Sequence, residues 1–189
     1  MVRRPRSTFR VVATALLALC VARGARAVVY LAKDEALATA FPAGTTVEKR
    51  TAFLTDAQVA ELKRAGVELE SKMFTFYRGL LGGELVGYAV IDSHVVRTLP
   101  EAFMAVLRPD GTIERVVMLA FYEPPEYAPK ENWLAQFQGR KPGEGNFRLG
   151  RDVHGITGAT LTSNAIAGSL RKIAALYGLV MRPDAGGTR

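Results

Sequence analysis

Two hairpin signals followed by one amphipathic helix limit what this chain can fold into. The runs 73–77 and 84–91 are rich in aromatic and β-branched residues, and Gly82-Gly83 between them suits a tight two-residue turn. The runs 102–107 and 112–121 flank Arg108-Pro109-Asp110-Gly111, and in the second of them Ile113, Val117, Leu119 and Phe121 alternate against Glu114 and Arg115 near its start. Four antiparallel strands follow from these two hairpins. Further along, Ile166, Leu170, Ile173 and Tyr177 recur at helical spacing as one apolar stripe, with Arg171 and Lys172 off it. Strands bracketed by helices predict an α+β fold, a twisted antiparallel sheet of about four to six strands packed on one side by flanking helices.

The segment before the hairpins reads as an α/β lead-in over 28–68, packed on a main domain over 69–181. Its helix over 33–40 stops at Phe41-Pro42, a strand lies near 47–54, and Thr55-Asp56 opens a second helix that carries Val59, Leu62 and Lys63 toward Gly66. After the sheet, Pro124 and Pro125 prevent further strand pairing. A short helix over 132–137 then makes Trp133 and Phe137 neighbours one turn apart, a pairing typical of core aromatics. Residues 182–189 read as a flexible tail.

The first 27 residues read as an export signal. Arg3, Arg4, Arg6 and Arg10 form a basic start, residues 11–22 are an uncharged apolar run too short for a membrane span, and Ala25-Arg26-Ala27 is a small-x-small cleavage pattern. Removing this segment changes the charge argument. The whole chain has 25 basic and 18 acidic residues, net +7, but six of the arginines lie in residues 1–27, so the remainder carries 19 against 18. The basic excess therefore belongs to the leader, and nucleic acid is not an expected partner. The sole cysteine, Cys20, is also in the leader, which leaves no disulfide, no thiolate-held cluster and no haem attachment in the processed chain. With His94 and His154 as the only imidazoles, no metal site is expected.

Ahead of the amphipathic helix stands Thr157-Gly158-Ala159-Thr160-Leu161-Thr162-Ser163, small, flexible and rich in hydroxyls. A helix start offers unpaired backbone N–H groups and a partial positive charge, and hydroxyls beside it add donors, so the pattern suits a phosphate; it equally suits a plain tight turn. Thr162 or Ser163 is expected as N-cap, and Gly178 as the left-handed residue that ends the helix.

This run resembles the flavinylation motif of the FMN-binding domain family, which includes the peripheral flavin subunits of sodium-pumping NADH:quinone reductase and of Rnf-type complexes. The similarity covers roughly residues 88–177. It implies that a periplasmic flavin transferase moves FMN from FAD onto Thr160 as a phosphoester, with Thr157, Gly158, Ala159, Leu161, Thr162 and Ser163 forming the surroundings of the phosphate. Glu123-Pro124-Pro125 loosely matches a family segment that borders the flavin, which implies Glu123 and Tyr127 as further contacts. One departure is His154, which stands where the family has an acidic residue, with Asp152 two positions earlier.

The function implied is that of an exported, periplasmic or extracytoplasmic flavoprotein, free or membrane-associated, that carries electrons on covalent FMN. Its partners would be the transferase and either a redox protein or a membrane quinone-linked complex. The resemblance assigns no catalytic residue. Two alternatives stay open: a periplasmic flavin-dependent reductase of a small substrate, with Tyr127, Glu123, His94 and His154 as candidate proton donors, or a binding or assembly module of the same fold without flavin.

Overall fold

In the computed structural model, which describes residues 28–143 and 147–182, six strands form one antiparallel sheet. They are β1 (Val28–Val29), β2 (Thr46–Phe53), β3 (Met73–Leu81), β4 (Glu84–Val95), β5 (Pro100–Leu107) and β6 (Ile113–Phe121), in the spatial order β1-β6-β5-β4-β3-β2. Four helices flank the sheet: α1 (Lys33–Ala40), α2 (Asp56–Arg64), α3 (Glu131–Leu134) and α4 (Thr160–Leu176). The α+β class and the antiparallel sheet agree with the sequence reading. The export signal over 1–27 and the tail beyond Arg182 lie outside the described residues.

Both hairpins form where the turn residues place them. Gly82 and Gly83 adopt φ of +60° and +91°, and pairing resumes at once with Leu81 opposite Glu84. The strands run longer than the apolar runs suggested. β4 continues to Val95 because Asp92, Ser93 and His94 pair with Phe103, Ala102 and Glu101, so a third hairpin turn, over residues 96–99, joins β4 to β5. The segment before the hairpins supplies both edges of the sheet, since β1 pairs with β6 and β2 pairs with β3.

The expectation of a sheet packed on one side is overturned. On one face Tyr88, Val90, Phe103, Ala105, Leu107 and Met118 meet Ile166, Leu170, Ile173 and Tyr177 of the α4 segment. On the other, Tyr77, Ala89, Met104, Val106 and Leu119 are covered by Ala36, Leu37 and Ala40 of α1. The reason is visible in β5, where Phe103-Met104-Ala105-Val106-Leu107 is apolar at every position, so neither face can be left to water. The helix α2 is closed at its start by Thr55 and Gln58, which exchange side-chain and backbone hydrogen bonds, and Leu62 packs with Leu54, Val67 and Leu176.

The end of α4 also differs from expectation. Gly178 does not terminate it in a left-handed conformation; the chain widens into a π turn over Tyr177–Met181, closed by Arg182 N–H to the Tyr177 carbonyl at 3.1 Å. Two tyrosines hold this turn on the sheet. Tyr177 Oη donates to the Pro109 carbonyl and Tyr88 Oη to the Met181 carbonyl, each at 2.8 Å. Tertiary anchoring thus outweighs the local preference of a glycine. Trp133 and Phe137 are buried and edge-to-face at 5.3 Å, as core aromatics should be. Among the described residues no helix is long and apolar enough to cross a membrane.

Candidate functional site

Three segments converge at the start of α4: the 96–99 turn, the end of β6 with the turn that follows, and the Thr-Gly-Ala-Thr loop. They enclose a cavity of about 190 Å³ lined by Val96, Arg97, Glu123, Tyr127 and residues 158–162. Folding therefore brings Thr160, Gly158, Ala159, Leu161 and Thr162 together with Glu123 and Tyr127, while Thr157 and Ser163 are not at the cavity wall.

The helix begins earlier than expected. Gly158 takes φ of +81°, a conformation favouring glycine, and Ala159 N–H bonds to the Ile156 carbonyl at 3.0 Å, so the turn closes before Thr160 and Thr160 is the first helical residue. Ala159, not Thr162 or Ser163, occupies the cap position, and no side chain caps the helix. Ser163 braces the turn instead: its buried Oγ accepts the Ile156 N–H at 2.9 Å and donates to the Ala159 carbonyl at 3.0 Å, so its proton is not offered to a ligand.

The first helical bond runs from Ser163 N–H to the Ala159 carbonyl. The N–H groups of Thr160, Leu161 and Thr162 precede it and have no helical partner, at the end of a helix whose first turn holds no acidic residue. Thr160 is exposed, and Thr162 is buried at the cavity wall. A Cβ on Gly158 would meet nothing within 4 Å, so the approach to the loop is open.

Glu123 is buried, and its Oε1 accepts the N–H groups of Thr98 at 3.2 Å and Leu99 at 3.1 Å. Tyr127 ends a single 3₁₀ turn, Pro125–Tyr127, and packs partly against the main core. His154 is exposed and contributes through its backbone: its carbonyl accepts Trp133 Nε1–H at 2.6 Å and its N–H donates to Gln136 Oε1 at 2.9 Å. These two bonds moor the loop ahead of the motif to α3 and the turn after it.

His94 lies away from the Thr160 cavity, on the face of β4 beneath α4. Its Nε2 is 2.6 Å from Glu101 Oε1 and its Nδ1 is 3.4 Å from Asp92 Oδ2. Asp92 also takes hydrogen bonds from Ser169 and, at 2.8 Å, from Lys172. Burial alone would lower the His94 pKa, but hydrogen bonding and charge from Asp92 and Glu101 reverse this and push it up to about 9. Burial likewise acts to raise Asp92, and its His94, Lys172 and Ser169 partners outweigh that and bring it down to about 2. This cluster borders a second, wider cleft of about 520 Å³ between α4, β4 and residues 63–68.

Sequence reasoning missed Val96 and Arg97. Nothing in their spacing marks them, and the one available signal was that the strand pattern could continue past Ile91 into a third hairpin.

Residues 100–175 match the FMN-binding domain family. This stretch is an FMN-binding domain. The domain runs from the first residue of β5 almost to the end of α4, so Glu123, Tyr127 and residues 157–163 lie inside the match and Val96 and Arg97 just before it. No curated protein matches the chain significantly. The residues around the cavity suit the phosphate end of FMN: three N–H groups without a helical partner, the Thr160 and Thr162 hydroxyls and the Arg97 guanidinium offer donors, and the carboxylate at the wall, Glu123, has its Oε1 taken up by the N–H groups of Thr98 and Leu99. At about 190 Å³ the cavity is smaller than the roughly 300 Å³ at the low end of sites for whole small ligands, a size that suits a phosphate group and not a complete FMN.

Proposed function

We propose that the chain is an exported flavoprotein that carries FMN through a phosphoester on Thr160 and works in electron transfer outside the cytoplasm. The observation that carries this reading is an exposed threonine at the first position of α4, beside helix N–H groups without a helical partner and a cavity shared with Arg97, in a stretch that matches the FMN-binding domain family. In the modification Thr160 Oγ forms a bond to the FMN phosphorus of FAD, the bond from that phosphorus to the bridging oxygen breaks, and AMP departs with that oxygen. The hydroxyl proton passes to a base of the transferase or to water.

Bound FMN supplies the redox chemistry. The chain's own part is to hold its phosphate. Thr160 anchors it, the N–H groups of residues 160–162 and the Thr162 hydroxyl surround it, and Leu161, half exposed at the cavity, offers apolar surface beside it. A ring displaced toward the surface can reach a redox protein or a membrane quinone-linked complex, which favours a carrier. The reductase reading is weaker because His94 and His154 are not at the cavity and the Glu123 Oε1 atom is already bonded to two backbone N–H groups, which leaves Tyr127 as its candidate proton donor at the cavity wall.

The test is export of the full chain in cells that supply a flavin transferase, followed by intact mass measurement. The wild type gains one FMN less one water and Thr160→Ala gains nothing. A wild type that stays unmodified overturns the proposal, and flavin retained on Thr160→Ala overturns the site.

A further inference from the structure

The 96–99 turn brings the one full positive charge to the cavity at Thr160. Arg97 is exposed on that turn and lines the cavity together with Thr160, Leu161 and Thr162. A phosphodiester carries one negative charge, and the partial charge of a helix start does not balance it. Thr162, 2% exposed, lies at the same cavity wall.

The turn is not held by its own hairpin alone. Val96 N–H bonds to the Leu99 carbonyl at 3.0 Å, and the two N–H groups that follow Arg97, those of Thr98 and Leu99, are both taken by Glu123 Oε1 from the end of β6. A buried carboxylate satisfied by two backbone donors holds a loop in one place. Glu123 therefore fixes where the Arg97 side chain starts.

We infer that Arg97 is the cationic ligand of the phosphodiester formed on Thr160, and that Glu123 is the positioning residue that presents it. This rests on the covalent-FMN reading and deepens it. It also gives Glu123 a role other than touching the flavin. Arg97 acts by charge and by forked N–H donors, and it serves the same function toward the FAD donor as the new phosphoester bond forms.

The experiment follows modification of purified chain by a flavin transferase and FAD, with intact mass read against time. If the wild type is not modified, the underlying reading fails and Arg97 is beside the point; when it is modified, the variants decide. Arg97→Ala is expected to slow modification on the order of tenfold, the loss of about one charge-assisted hydrogen bond, and Arg97→Lys to recover part of it. Glu123→Ala is expected to slow it similarly, Glu123→Gln, which keeps an oxygen acceptor, to recover part, and the Arg97→Ala/Glu123→Ala pair to be no slower than Arg97→Ala alone. As a second readout, the phosphorus NMR shift of the modified chain should move in Arg97→Ala. An unchanged rate and shift in Arg97→Ala overturns the role of Arg97, and fully additive losses in the double variant overturn the positioning role of Glu123. Arg97 is exposed, so its variants remain informative even if Glu123→Ala fails to fold.

Discussion

His94 and Glu101 face each other across β4 and β5 with Nε2 and Oε1 2.6 Å apart, and Glu101 is fully buried. An imidazole placed against a buried acid, with Asp92 on its other nitrogen, is charged at neutral pH. The His94 pKa is raised from 6.5 to about 9, so between those values the folded chain holds a proton that the unfolded chain releases. Its contribution is complete below pH 6.5 and disappears as pH rises through 9, which predicts a loss on the order of 3 kcal/mol across that window. Denaturant unfolding at several pH values checks it, and imidazole NMR titration should show Glu101→Gln moving His94 back toward its ordinary value.

Asp92 works in the opposite sense. Its pKa is depressed from 3.8 to about 2, so its stabilisation is present above 3.8 and is lost as pH falls through 2. Lys172→Met removes the charge that ties Asp92 to α4, and the acid limb of the stability profile should move to higher pH.

Ser163→Ala removes both bonds of the hydroxyl that braces the motif turn, leaving the Ile156 N–H without its partner. The expected cost is about 1–3 kcal/mol by urea unfolding. A slower flavin modification should accompany it because the loop before Thr160 loosens.

Trp133→Phe keeps an aromatic ring against Phe137 but deletes the Nε1–H donated to the His154 carbonyl. A loss of about 1 kcal/mol is expected. Faster hydrogen exchange of the amides around residues 154–158, with α4 unchanged, would show that the mooring acts locally.

Gly111→Ala is expected to be severe. The residue has φ of +84°, and an added Cβ would sit 2.5 Å from the Tyr177 ring, which cannot swing aside while its hydroxyl is bonded to the Pro109 carbonyl. A cost of about 2–4 kcal/mol follows from strain and overpacking together, measured by thermal or urea unfolding.

Much of this architecture was legible in the sequence, for local reasons. Gly82-Gly83 and Pro109-Asp110-Gly111 specify turns whichever partner strands meet across them, and the spacing of Ile166, Leu170, Ile173 and Tyr177 specifies a buried helix face. The Thr-Gly-Ala-Thr motif was visible because its chemistry is contiguous. The cap residue was misread because hydroxyl content points to Thr162 or Ser163, whereas the conformation of Gly158 closes the turn earlier and leaves Ala159 at the cap.

The sequence by itself determined the strands, the helices and the threonine motif, since each depends on interactions among residues a few positions apart. Tertiary structure alone decided that α1 covers the second face of the sheet, that His94 lies among Asp92, Glu101 and Lys172, and that Arg97 shares a cavity with Thr160. Those facts depend on strand register and on one buried carboxylate, Glu123, reaching across 24 residues of chain to hold a turn, and pairings at such separation leave no period or spacing in the sequence to read.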